Sequence, residues 1–100
     1  MKTRVYNVKR IDLSKITDKH GNLSVIEENE EIPFEIKRTY WIYDVPSGQS
    51  RGGHAFKENE ELVIALSGSF DLVLKDSMNE TVVQLNRPNQ GVYIPAGIWR

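Results

Sequence analysis

A chain of 100 residues is one small domain, long enough to bury a modest core. Hydrophobic residues make up 39% and charged residues 27%, the mix of a folded soluble domain and not of a disordered tail. Thirteen Lys and Arg against fourteen Asp and Glu leave a net charge of -1, which argues against a nucleic-acid-coating protein, because phosphate binding needs a basic surplus. With no cysteine, a disulfide scaffold and any thiolate zinc site are excluded.

The longest apolar run, 62–66, is far too short for a membrane span, and the first residues show no apolar signal segment. The expected compartment is the cytoplasm. Short apolar segments separated by turn residues then predict an all-β chain. Strands are expected at 5–11 and 23–27, with a turn at 18–22. The Ile32-Pro33 step breaks the chain.

Residues 36–45 alternate well: Ile36, Arg38, Tyr40 and Ile42 share one face, and Lys37, Thr39, Trp41 and Tyr43 the other. After a turn at 46–50, strands are expected at 51–56, 61–66, 70–75, 80–85 and 92–94. The 61–66 strand is apolar from Leu62 onward and is expected to be covered on both faces; 67–69 is expected to turn it as a hairpin into 70–75. Eight short strands in so small a chain need closure or sandwiching, which predicts an antiparallel β-barrel or jelly roll.

One stretch carries more than fold class. Gly48 is followed after five residues by His54, then Ala55 and Phe56, then Glu61 after four more, and Gly68 after six more. Except for Phe56, this resembles the first cupin motif, glycine-x5-His-x-His-x4-Glu-x6-glycine. The turn Pro95-Ala96-Gly97 resembles part of the second, with Arg100 where its histidine would stand. Residues two apart on a strand share a face, so a His-x-His pair would aim two imidazoles inward, and the Glu and a later His would complete a metal site. Here the four positions read His54, Phe56, Glu61 and Arg100. A phenyl ring cannot ligate, and a fixed guanidinium repels a cation. No metal and no cofactor are expected.

Further stretches sharpen the resemblance: DKHGNLSVIEEN at 18–29, IPFEIKRTY at 32–40, RGGHA at 51–55, LSGS at 66–69, GVYIP at 91–95, and Trp99 before Arg100. Within the cupins the chain resembles the sugar-nucleotide 3,4-ketoisomerases, which act on dTDP-4-keto-6-deoxyglucose. That family's usual block is Arg-Gly-x-His-Ala-His-Lys; here the second His is Phe56, and Glu61 stands where a glutamine is usual. Family members continue past the position of Arg100, so the chain is expected to be the N-terminal part of a longer polypeptide, with its barrel incomplete at the C-terminal end, and the resemblance implies a homodimer.

The resemblance implies a ketoisomerase that moves a carbonyl through an enediol, in deoxysugar and polysaccharide biosynthesis. Such chemistry needs a base near neutrality and a donor for the developing oxyanion. His54 is the candidate acid/base, against the alternative of a packing histidine. Tyr40 is the candidate donor to the enediolate, against an aromatic that fills the barrel.

Arg38 and Arg51 are candidates for the diphosphate or sugar oxygens, Phe56 for stacking, and Glu61 and Arg100 for an ion pair beside the substrate, with Arg51 as the other possible partner of Glu61. His20 reads as an exposed turn residue and the Glu27–Glu31 run as a solvated loop. A competing reading is a non-catalytic sugar-nucleotide-binding cupin, which Phe56 supports. A metal-dependent cupin enzyme is disfavoured by Phe56 and Arg100.

Overall fold

The computed structural model describes residues 4–53, 55 and 58–100. The chain begins with a single 3-10 turn at Val5–Asn7, fixed by the Asn7 side chain, whose Oδ1 accepts the Arg4 amide at 3.0 Å. Among the described residues seven strands follow: β1 Lys9–Asp12, β2 Ile16–Asp18, β3 Gly21–Leu23, β4 Glu61–Ile64, β5 Phe70–Lys75, β6 Glu80–Leu85 and β7 Gln90–Ile94. Among the described residues none lies in an α-helix.

The strands form three antiparallel sheets. The largest has the order β1-β7-β4, with Lys9 opposite Tyr93 on one side of β7 and Glu61 opposite Ile94 on the other. β5 and β6 form a full hairpin from Phe70–Leu85 to Lys75–Glu80, and β2 and β3 form a short one whose strand residues are all exposed.

Pleating gives β4 and β7 one inner and one outer face. Val92 and Ile94 point inward and meet Leu74 and Leu85 of the hairpin, with Ala65 and Ile98 completing the core. On the outer face Leu62 and Ile64 crowd Gly91, where an added Cβ would stand 2.8 Å from Leu62 Cδ1. Glu61 lies opposite Ile94 and so belongs to the inner face, at the end of β4. That register is what makes the only charged side chain of β4 a candidate for interior chemistry.

The last residues close one end. Lys75 and Trp99 exchange two backbone hydrogen bonds of 2.9 Å, while Ala55 bridges Trp99 from the other side. Residues 99–100 thus form an extended link between the end of β5 and Gly53 and Ala55.

Several expectations need correction. The all-β prediction holds; among the described residues the strands form three sheets, and no closed barrel is shown. The strand expected at 5–11 starts at Lys9, because the Asn7 cap bends the chain first. The strand expected at 23–27 is instead the β3 arm, ending at Leu23, of a hairpin that turns at 18–21. The run 61–66 ends as a strand at Ile64; Ala65 is buried but Leu66 is exposed, and 67–69 carries the chain to a different sheet and not into a hairpin. Residues 36–45 alternate as a strand should, yet they join no ladder among the described residues and leave Trp41 and Tyr43 exposed. Of 51–56, only Ala55 makes a bridge, and Phe56 lies outside the described residues.

Candidate functional site

The inner end of β4 gathers four of the residues singled out above. Arg100 donates its Nε to Glu61 Oε1 at 2.7 Å, and the two side chains are only 5% and 15% exposed. A second guanidinium nitrogen donates to the Ile98 carbonyl at 2.7 Å, which fixes the plane of the fork. Tyr40 donates its hydroxyl to Glu61 Oε2 at 2.9 Å. The Arg38 guanidinium stands 5.1 Å from the centre of the Tyr40 ring, within cation-π range.

Glu61 is therefore the hub: one oxygen serves a cation and the other a phenol. The segment that carries Tyr40 joins no ladder, so this side-chain bond ties it to β4. Burial raises the Tyr40 pKa above its ordinary 10.0, and the hydrogen bond to Glu61 and its charge add to that, whereas Arg38 and Arg100 pull the other way. The phenol is held neutral, with its single proton committed to Glu61. With both carboxylate oxygens engaged and a fixed guanidinium alongside, these residues do not fit a bound cation.

The backbone of Arg100 is held as firmly as its side chain. Gly53 donates its amide to the Arg100 carbonyl at 2.7 Å. Gly52, at φ +110°, leaves no room for a side chain there: an added Cβ would stand 3.2 Å from the Arg100 carbonyl oxygen. The Gly52-Gly53 pair within RGGHA was the available signal for this close approach, although the sequence reading used it only as part of a motif.

Arg51 is exposed and lies elsewhere. It lines an open groove of about 600 Å³ with residues 43–46, Gln49 and Ser50, and no contact among the described residues joins it to Glu61. Of the two partners considered for Glu61, the structure selects Arg100. His54 and Phe56 lie outside the described residues.

A second tyrosine–glutamate pair was not foreseen. On the outer face Tyr93 donates its hydroxyl to Glu60 and packs on Phe34 with ring centres 6.0 Å apart. Burial first, then Glu60, push its pKa up to about 12.

With this geometry in hand, the relatives are informative. The family described as "FdtA: WxcM-like, C-terminal" matches residues 6–100. The chain belongs to the FdtA family. Among curated FdtA-like relatives, it is 40% identical over 91 residues to a TDP-4-oxo-6-deoxy-alpha-D-glucose-3,4-oxoisomerase of Aneurinibacillus thermoaerophilus; the match covers 91% of this chain and 66% of that protein, just under two thirds.

Among solved structures it superposes with a TM-score of 0.92 and 41% identity on the sugar 3,4-ketoisomerase QdtA of Thermoanaerobacterium thermosaccharolyticum, crystallised in complex with TDP, covering 96% of this chain and 70% of that one. The TDP-quinovose 3,4-ketoisomerase WlaRB of Campylobacter jejuni gives 0.91 and 44%, covering 96% and 74%. Both therefore share the all-β fold described above.

Proposed function

We propose that this chain is a sugar-nucleotide 3,4-ketoisomerase that acts on a dTDP-4-keto-6-deoxyhexose by metal-free proton transfer through an enediol, in cytoplasmic deoxysugar and polysaccharide biosynthesis. The observation that carries the reading is the Arg38–Tyr40–Glu61–Arg100 cluster, set on the inner face of a fold shared with TDP-sugar ketoisomerases.

Moving the carbonyl from C4 to C3 begins when a base takes the C3 proton. His54 is assigned that step, since an imidazole titrates near neutrality. The negative charge that builds on the sugar oxygens is stabilised by Arg38, and by the Tyr40 hydroxyl once its proton turns from Glu61 to the sugar oxygen. Arg51, on its exposed groove, is assigned to the diphosphate, where a bidentate fork suits two phosphate oxygens. Phe56 supplies an apolar stacking surface. Arg100 with Glu61 forms the floor. The active unit is a homodimer, which the exposed aromatic residues of 36–45 support.

The test is incubation with dTDP-4-keto-6-deoxyglucose, with the product read by NMR. Isomerised sugar is expected, and His54→Asn should cut turnover by roughly 10²- to 10⁴-fold while nucleotide binding survives. Phe56 favours a second reading, a sugar-nucleotide-binding cupin without catalysis. Binding with no turnover in the wild-type protein, and turnover gained on Phe56→His, would establish that reading in place of the first.

A further inference from the structure

Arg38 and Tyr40 stand on a segment that no sheet holds. Every residue from 35 to 45 is exposed, and among the described residues none of them joins a ladder or makes a backbone hydrogen bond. An exposed chain without either restraint samples many conformations. Groups that act on a substrate must be held to within about 0.5 Å, and a displacement of about 1 Å can cost about 10²-fold in rate. This arm therefore depends on anchors made by side chains.

One anchor is the Tyr40 hydroxyl on Glu61, at the inner face. The other is Phe34, on the opposite face. Ile32 is buried, Phe34 is half-buried, and the Phe34 carbonyl accepts the Asn29 amide at 3.3 Å. The Phe34 ring packs on Tyr93 with ring centres 6.0 Å apart and planes tilted by 34°, the geometry of a favourable aromatic pair. Tyr93 is itself well fixed. It lies in the central strand of the β1-β7-β4 sheet, opposite Lys9 on one side and Leu62 on the other, and it donates its hydroxyl to Glu60.

Glu60 and Glu61 are neighbours in sequence, and pleating sends them to opposite faces. Each accepts a tyrosine hydroxyl, that of Tyr93 outside and that of Tyr40 inside. The chain between Phe34 and Tyr40 thus passes from the outer face to the inner one at the Glu60–Glu61 end of β4, gripped on both sides.

We propose that Phe34 and Tyr93, with Glu60 behind them, are positioning residues that set where Arg38 and Tyr40 stand relative to the sugar. This rests on the ketoisomerase reading above. Phe34 and Tyr93 act through the arm and not on the substrate. The inner bond alone fixes one hydroxyl; the outer anchor fixes the root of the arm, so the Arg38 guanidinium between them has a defined place.

The experiment uses the protein labelled with fluorotryptophan and read by fluorine NMR. Trp41 follows Tyr40 on the arm, and Trp99 lies on the link to β5, so the two resonances report the arm and the rest of the fold. Trp41→Phe assigns them, and light scattering keeps the variants compared in one oligomeric state. Phe34→Ala should shift the Trp41 resonance and leave that of Trp99 in place. It should lower kcat on dTDP-4-keto-6-deoxyglucose by about tenfold with KM within about threefold, because the charge that Arg38 and Tyr40 stabilise builds in the transition state. Phe34→Tyr keeps the ring and should stay within about twofold of wild type in kcat. Glu60→Gln keeps an oxygen that accepts the Tyr93 hydroxyl and should do the same, whereas Tyr93→Phe should lower kcat about threefold.

A Trp41 resonance that stays in place in Phe34→Ala would overturn the anchor. One that moves with kcat unchanged would overturn its part in turnover. Trp41 and Trp99 shifting together would mark a general loosening of the fold and overturn the positioning role as well. If Phe34→Ala does not fold, Tyr93→Phe decides on the same readouts, since it removes one exposed hydrogen bond and keeps the ring. Wild-type protein without turnover would overturn the ketoisomerase reading, and the positioning role with it; failure of the anchor alone shows as normal wild-type turnover beside an unmoved Trp41.

Discussion

Arg100 and Glu61 form a nearly dry ion pair: Nε to Oε1 is 2.7 Å, and the guanidinium side chain is 5% exposed. Two effects compete in such a pair. Each charge loses hydration on burial, and their attraction only roughly offsets that loss, so the intact pair is a weak source of stability. Removing one partner is different, because it strands the other charge. Arg100→Leu should therefore destabilise the fold by about 3 kcal/mol, and Arg100→Leu with Glu61→Leu should recover most of that. Urea unfolding midpoints check this. A double variant no more stable than the single one would show that the pair holds Arg100 for packing and not for charge.

Two glycines are predicted to differ, although both are crowded. At Gly91 an added Cβ meets Leu62 Cδ1 at 2.8 Å, the far end of a flexible side chain. That methyl can move, but Ile64 Cγ2 at 3.1 Å and Leu62 Cγ at 3.3 Å must give as well, so Gly91→Ala should cost about 1–2 kcal/mol, all of it in side-chain repacking. At Gly52 the obstacle is the Arg100 carbonyl, 3.2 Å away, and the backbone sits at φ +110°. Neither can yield, so Gly52→Ala should cost about 1–3 kcal/mol and should also loosen Arg100. Thermal unfolding of both variants gives the contrast directly.

The parts of this chain that were legible in its sequence are those whose information is local. β5 and β6 were predicted at their observed bounds because Asp76 and Asn79 mark a tight turn between two alternating runs. The Glu61–Arg100 pair was legible because both positions belong to a spaced motif.

What was not legible depends on pairing at a distance. Residues 36–45 have the period of a strand, but period reports an alternating face and says nothing of whether a neighbour is present. The Tyr40–Glu61 bond spans 21 positions, and no local pattern encodes it. How the sheets meet is illegible for the same reason: strand count implies edges to hide without specifying what hides them.

The pH dependence of stability should have two shoulders. The Asp76 carboxylate accepts amides from Val5, Met78 and Asn79, each at 2.7 Å, and so ties the first turn to the β5–β6 connection. Those bonds to the charged form, led by the Met78 amide, lower its pKa below the ordinary 3.8. A depressed carboxylate stabilises the fold above pH 3.8, and that contribution is lost as pH falls through the lowered folded value.

At the alkaline end the sign reverses. Tyr93 holds its proton to about pH 12 in the folded chain and to about 10 in the unfolded one, so between them the folded state binds more protons and stability falls as pH rises. Asp76→Asn should flatten the acid shoulder and Tyr93→Phe the upper part of the alkaline one. Denaturation midpoints as a function of pH would refute the assignment if either variant kept its shoulder.

The proposed homodimer makes the most exposed test. Trp41 is 68% and Tyr43 72% exposed, and both lie on the face of 36–45 opposite Tyr40. Large aromatic side chains at that exposure, on a segment that joins no ladder among the described residues, mark a surface suited to a partner. A second copy is the partner that a strand-like edge most readily accepts. Trp41→Lys, which leaves the groove beside Arg51 untouched, should weaken self-association by about 30-fold or more, since a buried aromatic anchor carries about 2 kcal/mol or more. The Arg38–Tyr40 face should be left intact, so TDP binding per protomer should fall far less than association does. Light scattering across micromolar concentrations reads the first effect and calorimetry the second. A wild-type protein that stays monomeric throughout that range would refute the dimer and leave Tyr43 as part of the groove beside Arg51.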